Sequence, residues 1–314
     1  MKKYLVISLV IFLGLAVFLR LVFSGVLILP QTFNIGPLVI HYYGLIMALA
    51  AASGFYLAIK RSALYGLDKK IAEDILFWVI IGGFIGARVY HVLSSAGYYY
   101  RHPIDIIKVW NGGLSIYGAV LGGILTVVIF VGAGFLVRRS FSEGGSRPSS
   151  EAGGQAQPLH SKARRVMLIL DWLAPSVVLG QIIGRFGNLF NYEAFGYPTN
   201  LPWKMFVEKS FRPVQFQSEN FFHPWFLYEV LGNLIILFLL LKVIPKNYKK
   251  SSPGYIVFFY LLLYNSLRFC LEFLRIDSTF FGAIRLNSLV SLALVFVAAV
   301  LLFFIDKIDI IEQK

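Results

Sequence analysis

Gly184-Arg185-Phe186-Gly187-Asn188-Leu189-Phe190-Asn191-Tyr192-Glu193-Ala194-Phe195-Gly196 follows directly on an apolar run from Leu168 to Ile183. That run is of membrane length, and the stretch after it carries a cation, two amides and an acid. Polar groups at the end of a spanning segment cost free energy unless something polar is bound there. The same stretch therefore points to a fold of membrane helices and to a candidate site at their ends.

The rest of the chain agrees with that reading. Of its 314 residues 58% are hydrophobic and 14% charged, against about 25% charged in a soluble domain. The apolar runs are continuous rather than alternating, which predicts helices and excludes a β-barrel. The net charge of +13 is read as positive-inside bias and attraction to anionic lipid, not as a nucleic-acid surface. The single cysteine, Cys270, rules out an internal disulfide framework and a cysteine-rich metal site, and in its apolar run is expected to be a small packed hydrophobe.

Eight spans are expected in chain order. Residues 1–29 form a first, uncleaved span with its amino end inside, Arg20 snorkelling outward. His41-Tyr42-Tyr43-Gly44 opens the second, which stops at Lys60-Arg61, and the third covers about Ile71 to Leu93 with Arg88 and His91 in it. Gly97 to Trp110 reads as an interfacial segment, and Asn111-Gly112-Gly113 begins the fourth span. A Ser/Gly/Gln-rich basic stretch, 138–165, is expected to be a flexible cytoplasmic loop. The fifth span ends at the opening motif, and 185–224 is expected to be a small extracytoplasmic cap. Three more spans, Trp225 to Val243, Gly254 to Phe273 and Leu286 to Ile305, lead to a cytoplasmic tail, 306–314. Most of the 29 Lys and Arg then fall on the cytoplasmic side, which places Arg185, Glu193 and His223 on the outer side.

Several spans carry polar side chains toward that side. Arg268, Glu272 and Arg275 recur at i, i+4 and i+7, so they share one helix face with Tyr264. Tyr228-Glu229 open the span after His223-Pro224, and Asn111, Ser115 and Tyr117 lie in a glycine-rich start. Arginine forks match phosphate bidentately and keep their charge. Arg185 and Arg268 are therefore candidates to clamp a phosphate at headgroup depth, with Asn188 and Asn191 on glycerol hydroxyls.

These residues together resemble the prolipoprotein diacylglyceryl transferases of bacteria. The family signature is similar to Gly184-Arg185-x-Gly187-Asn188-x-x-Asn191-x-Glu193-x-x-Gly196. His41-Tyr42-Tyr43-Gly44, Arg88, Trp110-x-Gly112-Gly113-x-Ser115, His223-Pro224 with Tyr228-Glu229, and Arg268-Phe269-x-x-Glu272-x-x-Arg275 follow the family's order, and the likeness covers about residues 30 to 305. The resemblance implies an all-α polytopic membrane protein: a seven-helix transferase core, 30–305, with the 1–29 span added. It implies transfer of the diacylglyceryl group of phosphatidylglycerol to the lipobox cysteine of prolipoprotein signal peptides. The product is a thioether, and glycerol phosphate leaves. The setting is the bacterial cytoplasmic membrane, with the site toward the outer leaflet and no metal or other cofactor. The catalytic residues it implies are Arg185, Arg268, Glu272, Tyr117 and His41. On the substrate side it implies Tyr43, Arg88, Asn188, Asn191, Glu193, Gly196, His223, Glu229 and Arg275.

The chain departs from the family where many members carry histidine and this one has Tyr117. A tyrosine, with a reference pKa of about 10, is a poor base at neutral pH but still hydrogen-bonds. Position 117 is therefore expected to orient substrate, leaving a carboxylate or His41 to take the thiol proton. The same departure motivates a second reading, a lapsed paralogue that only binds anionic lipid or signal peptides. A small-anion transporter is a third; the absence of an internal repeat speaks against it.

Overall fold

The computed structural model of the protein describes residues 2–133, 162–247, 253–282 and 284–312. Most of the expected basic loop, residues 138–161, lies outside them. The helices are α1 (Lys2–Phe23), α2 (Tyr42–Arg61), α3 (Lys69–Ser94), α4 (Ala96–Arg101), α5 (Ile116–Gly132), α6 (Lys162–Asn191) and α7 (Trp225–Phe238). A π turn, Leu239–Val243, extends α7 into α8 (Ile244–Asn247), and α9 (Tyr255–Glu272) and α10 (Leu286–Glu312) complete the set. Three two-stranded antiparallel hairpins fill connections: β1 (Thr32–Ile35) with β2 (Leu38–His41), β3 (Met205–Phe206) with β4 (Phe221–Phe222), and β5 (Phe280–Phe281) with β6 (Ile284–Arg285). Six helical segments among the described residues are long and apolar enough to cross a membrane: Tyr42–Tyr65, Lys69–Ser94, Lys162–Asn191, Trp225–Val243, Tyr255–Glu272 and Leu286–Ile305. At the two other expected spans the apolar helices are shorter, Leu13–Phe23 and Ile116–Gly132. The chain is an all-α polytopic membrane protein.

Three boundaries differ from those hydropathy suggested. The helix after Trp110 begins at Ile116, not Asn111, because Gly112 and Gly113 adopt φ of +88° and +77°; such left-handed backbone ends helical propagation. At the far end, α10 continues to Glu312 rather than stopping near Ile305. Most important, α6 does not end at Ile183 but runs on to Asn191 with Pro175 inside it. Cys270, expected to be packed, is exposed on α9.

The chain divides into two compact units. The first comprises Met1–Gly54, Val177–Asn247 and Phe258–Lys314. Its apolar centre includes Val22, Leu29, Leu189, Met205, Phe222 and Phe226. The end of α1 is part of it: Phe23 packs edge-on against Phe226 at 6.2 Å, and Gly25, at φ +76°, lies against the Phe206 ring.

The second unit comprises Phe55–Ser176 and Tyr248–Val257. Its core holds Ala58, Ala72, Ile75, Val127, Phe130 and Trp172, and the Trp172 indole donates to the Ala58 carbonyl at 2.7 Å. Helices α3 and α5 meet through glycines: a Cβ on Gly86 would strike the Gly118 carbonyl and the Gly122 Cα, and one on Gly122 the Gly82 carbonyl. Such small-residue contacts let backbones approach where lipid supplies no hydrophobic drive.

Asp171 on α6 is fully buried and accepts from the backbone N–H groups of Gly254 at 2.7 Å and Val257 at 2.8 Å. It thus caps, from a neighbouring helix, donors at the start of α9 that have no intrahelical partner. Asp171→Ala is expected to destabilise by about 1–3 kcal/mol for each N–H left unpaired. Thermal unfolding in detergent measures it; Asp171→Asn, which keeps one acceptor, should lose less.

Candidate functional site

Because α6 continues through the opening motif, Arg185 and Asn188 stand one turn apart on a helix, and Arg185 Nη1 donates to Asn188 Oδ1 at 3.2 Å. The helix is stopped by two non-glycine residues in left-handed backbone, Tyr192 at φ 54° and Ala194 at φ 55°. The reversal folds Glu193 back over the helix end, its N–H donating to the Asn188 carbonyl at 2.9 Å. There its carboxylate accepts from Asn188 Nδ2 at 3.3 Å and Asn191 Nδ2 at 3.4 Å. Motif spacing and backbone strain thus produce one result, an acid clasped by two amides.

One turn into α7, Glu229 is fully buried. Its Oε1 accepts from Arg185 Nη2 at 2.8 Å and from the Tyr264 hydroxyl at 3.1 Å, and its Oε2 accepts from Arg268 Nη1 at 3.2 Å. Guanidiniums from α6 and α9 therefore converge on one carboxylate of α7. A buried carboxylate is tolerated only when so paired. Each guanidinium carries five N–H donors, so N–H groups remain on the partly exposed Arg185 and Arg268 for an incoming anion.

Trp225 holds the group together from below. Its indole N–H donates to the Leu271 carbonyl at 2.7 Å, and its ring lies under three guanidiniums: Arg268 at 4.8 Å, Arg275 at 5.3 Å and Arg185 at 5.6 Å. Cation–π attraction of this kind reaches about 2 kcal/mol where it is desolvated. Arg275 Nε and Nη2 donate to the carboxylate of Asp277. Burial alone would raise Asp277, but those two bonds win and hold its carboxyl below the ordinary range. Glu272 differs from Glu229. Its Oε1 accepts from Asn287 Nδ2 at 2.9 Å, whereas Oε2 is buried without a hydrogen bond among the described residues, 3.7 Å from Arg268 Nη2.

Around this group the backbone closes in. Gly196 donates to the His223 carbonyl at 2.9 Å and bridges to Arg275, and a Cβ there would meet the Leu274 carbonyl. A Cβ on Gly187 would strike the Tyr43 ring, so glycine lets Tyr43 lie on α6, close enough to Glu193 and Arg185 to feel both charges. Burial pushes His223 below its ordinary pKa, and its Nδ1 sits 2.9 Å from the Tyr228 hydroxyl, which accepts from the Trp203 indole at 2.8 Å.

In the second unit, Arg88 is buried and engaged by carbonyls: Gly112 at 2.7 Å, Ile106 and Gly113 at 2.9 Å, Lys108 at 3.4 Å, and Asp105. Tyr117 is exposed in the first turn of α5, its ring 6.1 Å from that of Tyr90.

The prolipoprotein diacylglyceryl transferase family model matches residues 30–139 and 156–304. The chain belongs to this family. It is 36% identical over 302 residues to the phosphatidylglycerol–prolipoprotein diacylglyceryl transferase of Thermotoga maritima, covering 94% of this chain and 93% of the relative. It is 36% identical over 303 residues to that of Fervidobacterium nodosum, covering 95% and 94%. The protein so named from Acaryochloris marina is 35% identical over 265 residues, covering 84% and 85%. The protein is therefore a transferase enzyme of the lipoprotein-maturation type.

Within this family member, the structure joins Arg185, Asn188, Asn191, Glu193, Glu229, Arg268, Glu272 and Arg275 through contacts, with Tyr43, Gly196 and His223 packed against them. Glu229, expected on the substrate, has both oxygens engaged by Arg185, Tyr264 and Arg268. Arg88, also expected on the substrate, donates to carbonyls of the 105–113 loop. His41 is exposed at the end of β2 and makes no side-chain hydrogen bond among the described residues. Sequence reading missed Trp225, Asp277 and Asn287. The signal for Trp225 was its position four residues before Glu229, one turn away on the same face; the other two lie in a turn and on a separate helix and leave no periodic trace.

Proposed function

We propose that the protein transfers the diacylglyceryl group of phosphatidylglycerol to the lipobox cysteine of prolipoprotein signal peptides. The convergence of Arg185 and Arg268 on Glu229 carries this reading, because it holds two permanent cations where one phosphate can meet both. The thiol sulfur attacks the glyceryl carbon, a C–S bond forms, and the C–O bond to phosphate breaks with its electron pair leaving on glycerol phosphate. Negative charge gathers on that phosphate in the transition state, and fixed guanidinium donors stabilise it there without reorganising. The thiol must lose its proton to attack. Glu272 is the proposed acceptor, since its Oε2 has no hydrogen bond among the described residues while Glu229 has no oxygen to spare. Asn188, Asn191 and Glu193 orient the glycerol of the leaving group. Tyr117 keeps an orienting role on the family resemblance alone. The site faces the outer leaflet of the bacterial cytoplasmic membrane, a placement supported by the Lys and Arg gathered at 60–70, 138–165 and 242–250.

Incubation with labelled phosphatidylglycerol and a lipobox peptide tests the reading. Lipidated peptide is the expected product, and lipid bound without transfer would replace this reading with the lapsed one. Tyr117→Phe should lower turnover by about tenfold, the scale of one lost hydrogen bond of about 1.4 kcal/mol. Unchanged turnover in both Tyr117→Phe and Tyr117→His would remove the orienting role.

A further inference from the structure

Fifteen residues beyond Glu272 the chain comes back to it. Helix α9 ends at Glu272, the β5–β6 hairpin reverses direction with Gly282 in left-handed backbone at φ +62°, and α10 starts at Leu286. The Leu286 N–H closes the reversal on the Thr279 carbonyl at 2.9 Å. The next residue, Asn287, then stands beside the Glu272 carboxylate, its Nδ2 donating to Oε1 at 2.9 Å. With Glu272 as the acceptor of the thiol proton, the reading on which this rests, we propose that Asn287 is a positioning residue for the transfer. By occupying Oε1 it directs the proton to Oε2.

The two oxygens of this buried carboxylate are unlike. Oε1 has the Asn287 amide, whereas Oε2 has no hydrogen bond among the described residues and lies 3.7 Å from Arg268 Nη2. An ionised carboxylate only accepts and an amide nitrogen only donates, so the pairing also fixes which end of the Asn287 amide faces Glu272. A proton on Oε1 would set two hydrogens against the same oxygen and weaken it as an acceptor. A proton on Oε2 leaves the Asn287 bond intact. As the thiol S–H bond breaks, its electron pair stays on sulfur and goes into the C–S bond. The proton ends on Oε2, and Glu272 becomes a neutral acid.

Arg285 holds Asn287 in register. The last carbonyls of a helix lack intrahelical partners and carry the negative end of its dipole, and here a carboxylate of the same sign sits on the final residue. Arg285 Nη1 donates to the Glu272 carbonyl at 2.6 Å, to the Ser278 hydroxyl at 3.0 Å and to the Arg275 carbonyl at 3.3 Å. Its guanidinium also lies 5.2 Å from the Phe280 ring and 5.8 Å from that of Phe273. Arg285 therefore grips the main chain of Glu272 while Asn287, two positions on, grips the side chain. The carboxylate cannot turn without breaking one of these contacts.

Steady-state transfer from labelled phosphatidylglycerol to a lipobox peptide tests this, with the full chain in detergent and rates expressed per folded protein. Asn287→Leu keeps the volume and removes the donor. It should lower kcat about tenfold, the scale of one hydrogen bond to a charged group, and leave KM for phosphatidylglycerol unchanged. Asn287→Gln returns an amide on a longer arm and should recover part of that loss. Arg285→Lys is the second variant: it keeps a cation at the end of α9 and should show the same split with a smaller loss. Wild-type kcat in Asn287→Leu, a loss confined to KM, or equal losses in the Leu and Gln variants would overturn the proposal. Glu272→Gln tells that failure from failure of the acceptor. Near-normal turnover in Glu272→Gln removes the acceptor and the role of Asn287 with it. An inactive Glu272→Gln beside a normal Asn287→Leu removes the role of Asn287 alone.

Discussion

Arg185→Ala and Arg268→Ala should each reduce transfer at least about a thousandfold, the upper end of what one charge-stabilising donor contributes to a developing oxyanion. Both guanidiniums face the same place, so neither can take over the other's half of a phosphate. Arg185→Lys should fall between, since an ammonium keeps the charge and loses the planar fork. Glu229→Gln separates positioning from contact. It touches no substrate in this reading, yet it leaves two partly exposed cations without the buried carboxylate that gathers them. Breaking such a pair costs about 3–5 kcal/mol, so Glu229→Gln should lower both thermal unfolding temperature and turnover. Initial rates over a range of phosphatidylglycerol concentrations read the first set, and unfolding in detergent reads the last. Wild-type turnover in either alanine variant would remove the clamp, and wild-type stability in Glu229→Gln would remove the pivot.

Gly86→Val is expected to prevent accumulation of folded protein. The new Cβ would overlap the Gly118 carbonyl and lie 2.8 Å from the Gly122 Cα, both of them backbone. A side chain can swing aside, but here α3 and α5 would have to separate, which exceeds the ~1–3 kcal/mol of ordinary overpacking. Ser115 donates to the Ala87 carbonyl at 3.1 Å, so separation would also pull the start of α5 from α3. Gly123→Ala is the control: its Cβ would meet only Val79 Cγ1 at 3.6 Å, an ordinary contact. Thermal unfolding should place the two variants far apart, and equal stability would show that the glycine seam does not hold the helix pair.

The spans were readable because apolar length is a local property, and so was the motif, whose residue types announce their chemistry. What stayed hidden depends on torsion or on partners distant in sequence. Hydropathy ended α6 at Ile183 because Arg185 and Asn188 look like surface residues until Glu229, over forty positions later, is seen to receive Arg185. Residues 111–115 looked helical because a glycine pair in a membrane sequence does not announce positive φ. The carbonyls that engage Arg88 lie a full loop away, and its chain neighbours do not reveal them. Spacing did show that Arg268, Glu272 and Arg275 share a face, but not that Trp225 underlies two of them.

The docking of α1 has a practical consequence. Val22 and Phe23 act as a buttress under the block that follows Tyr192, with Gly25 letting Phe206 settle against the chain. Severing the polypeptide near residue 24 would strip that support and leave Phe206 and Phe226 bare. The first helix is therefore a structural prop of the unit that holds Glu229 and its arginines, and cutting it away would weaken the ground on which that group stands.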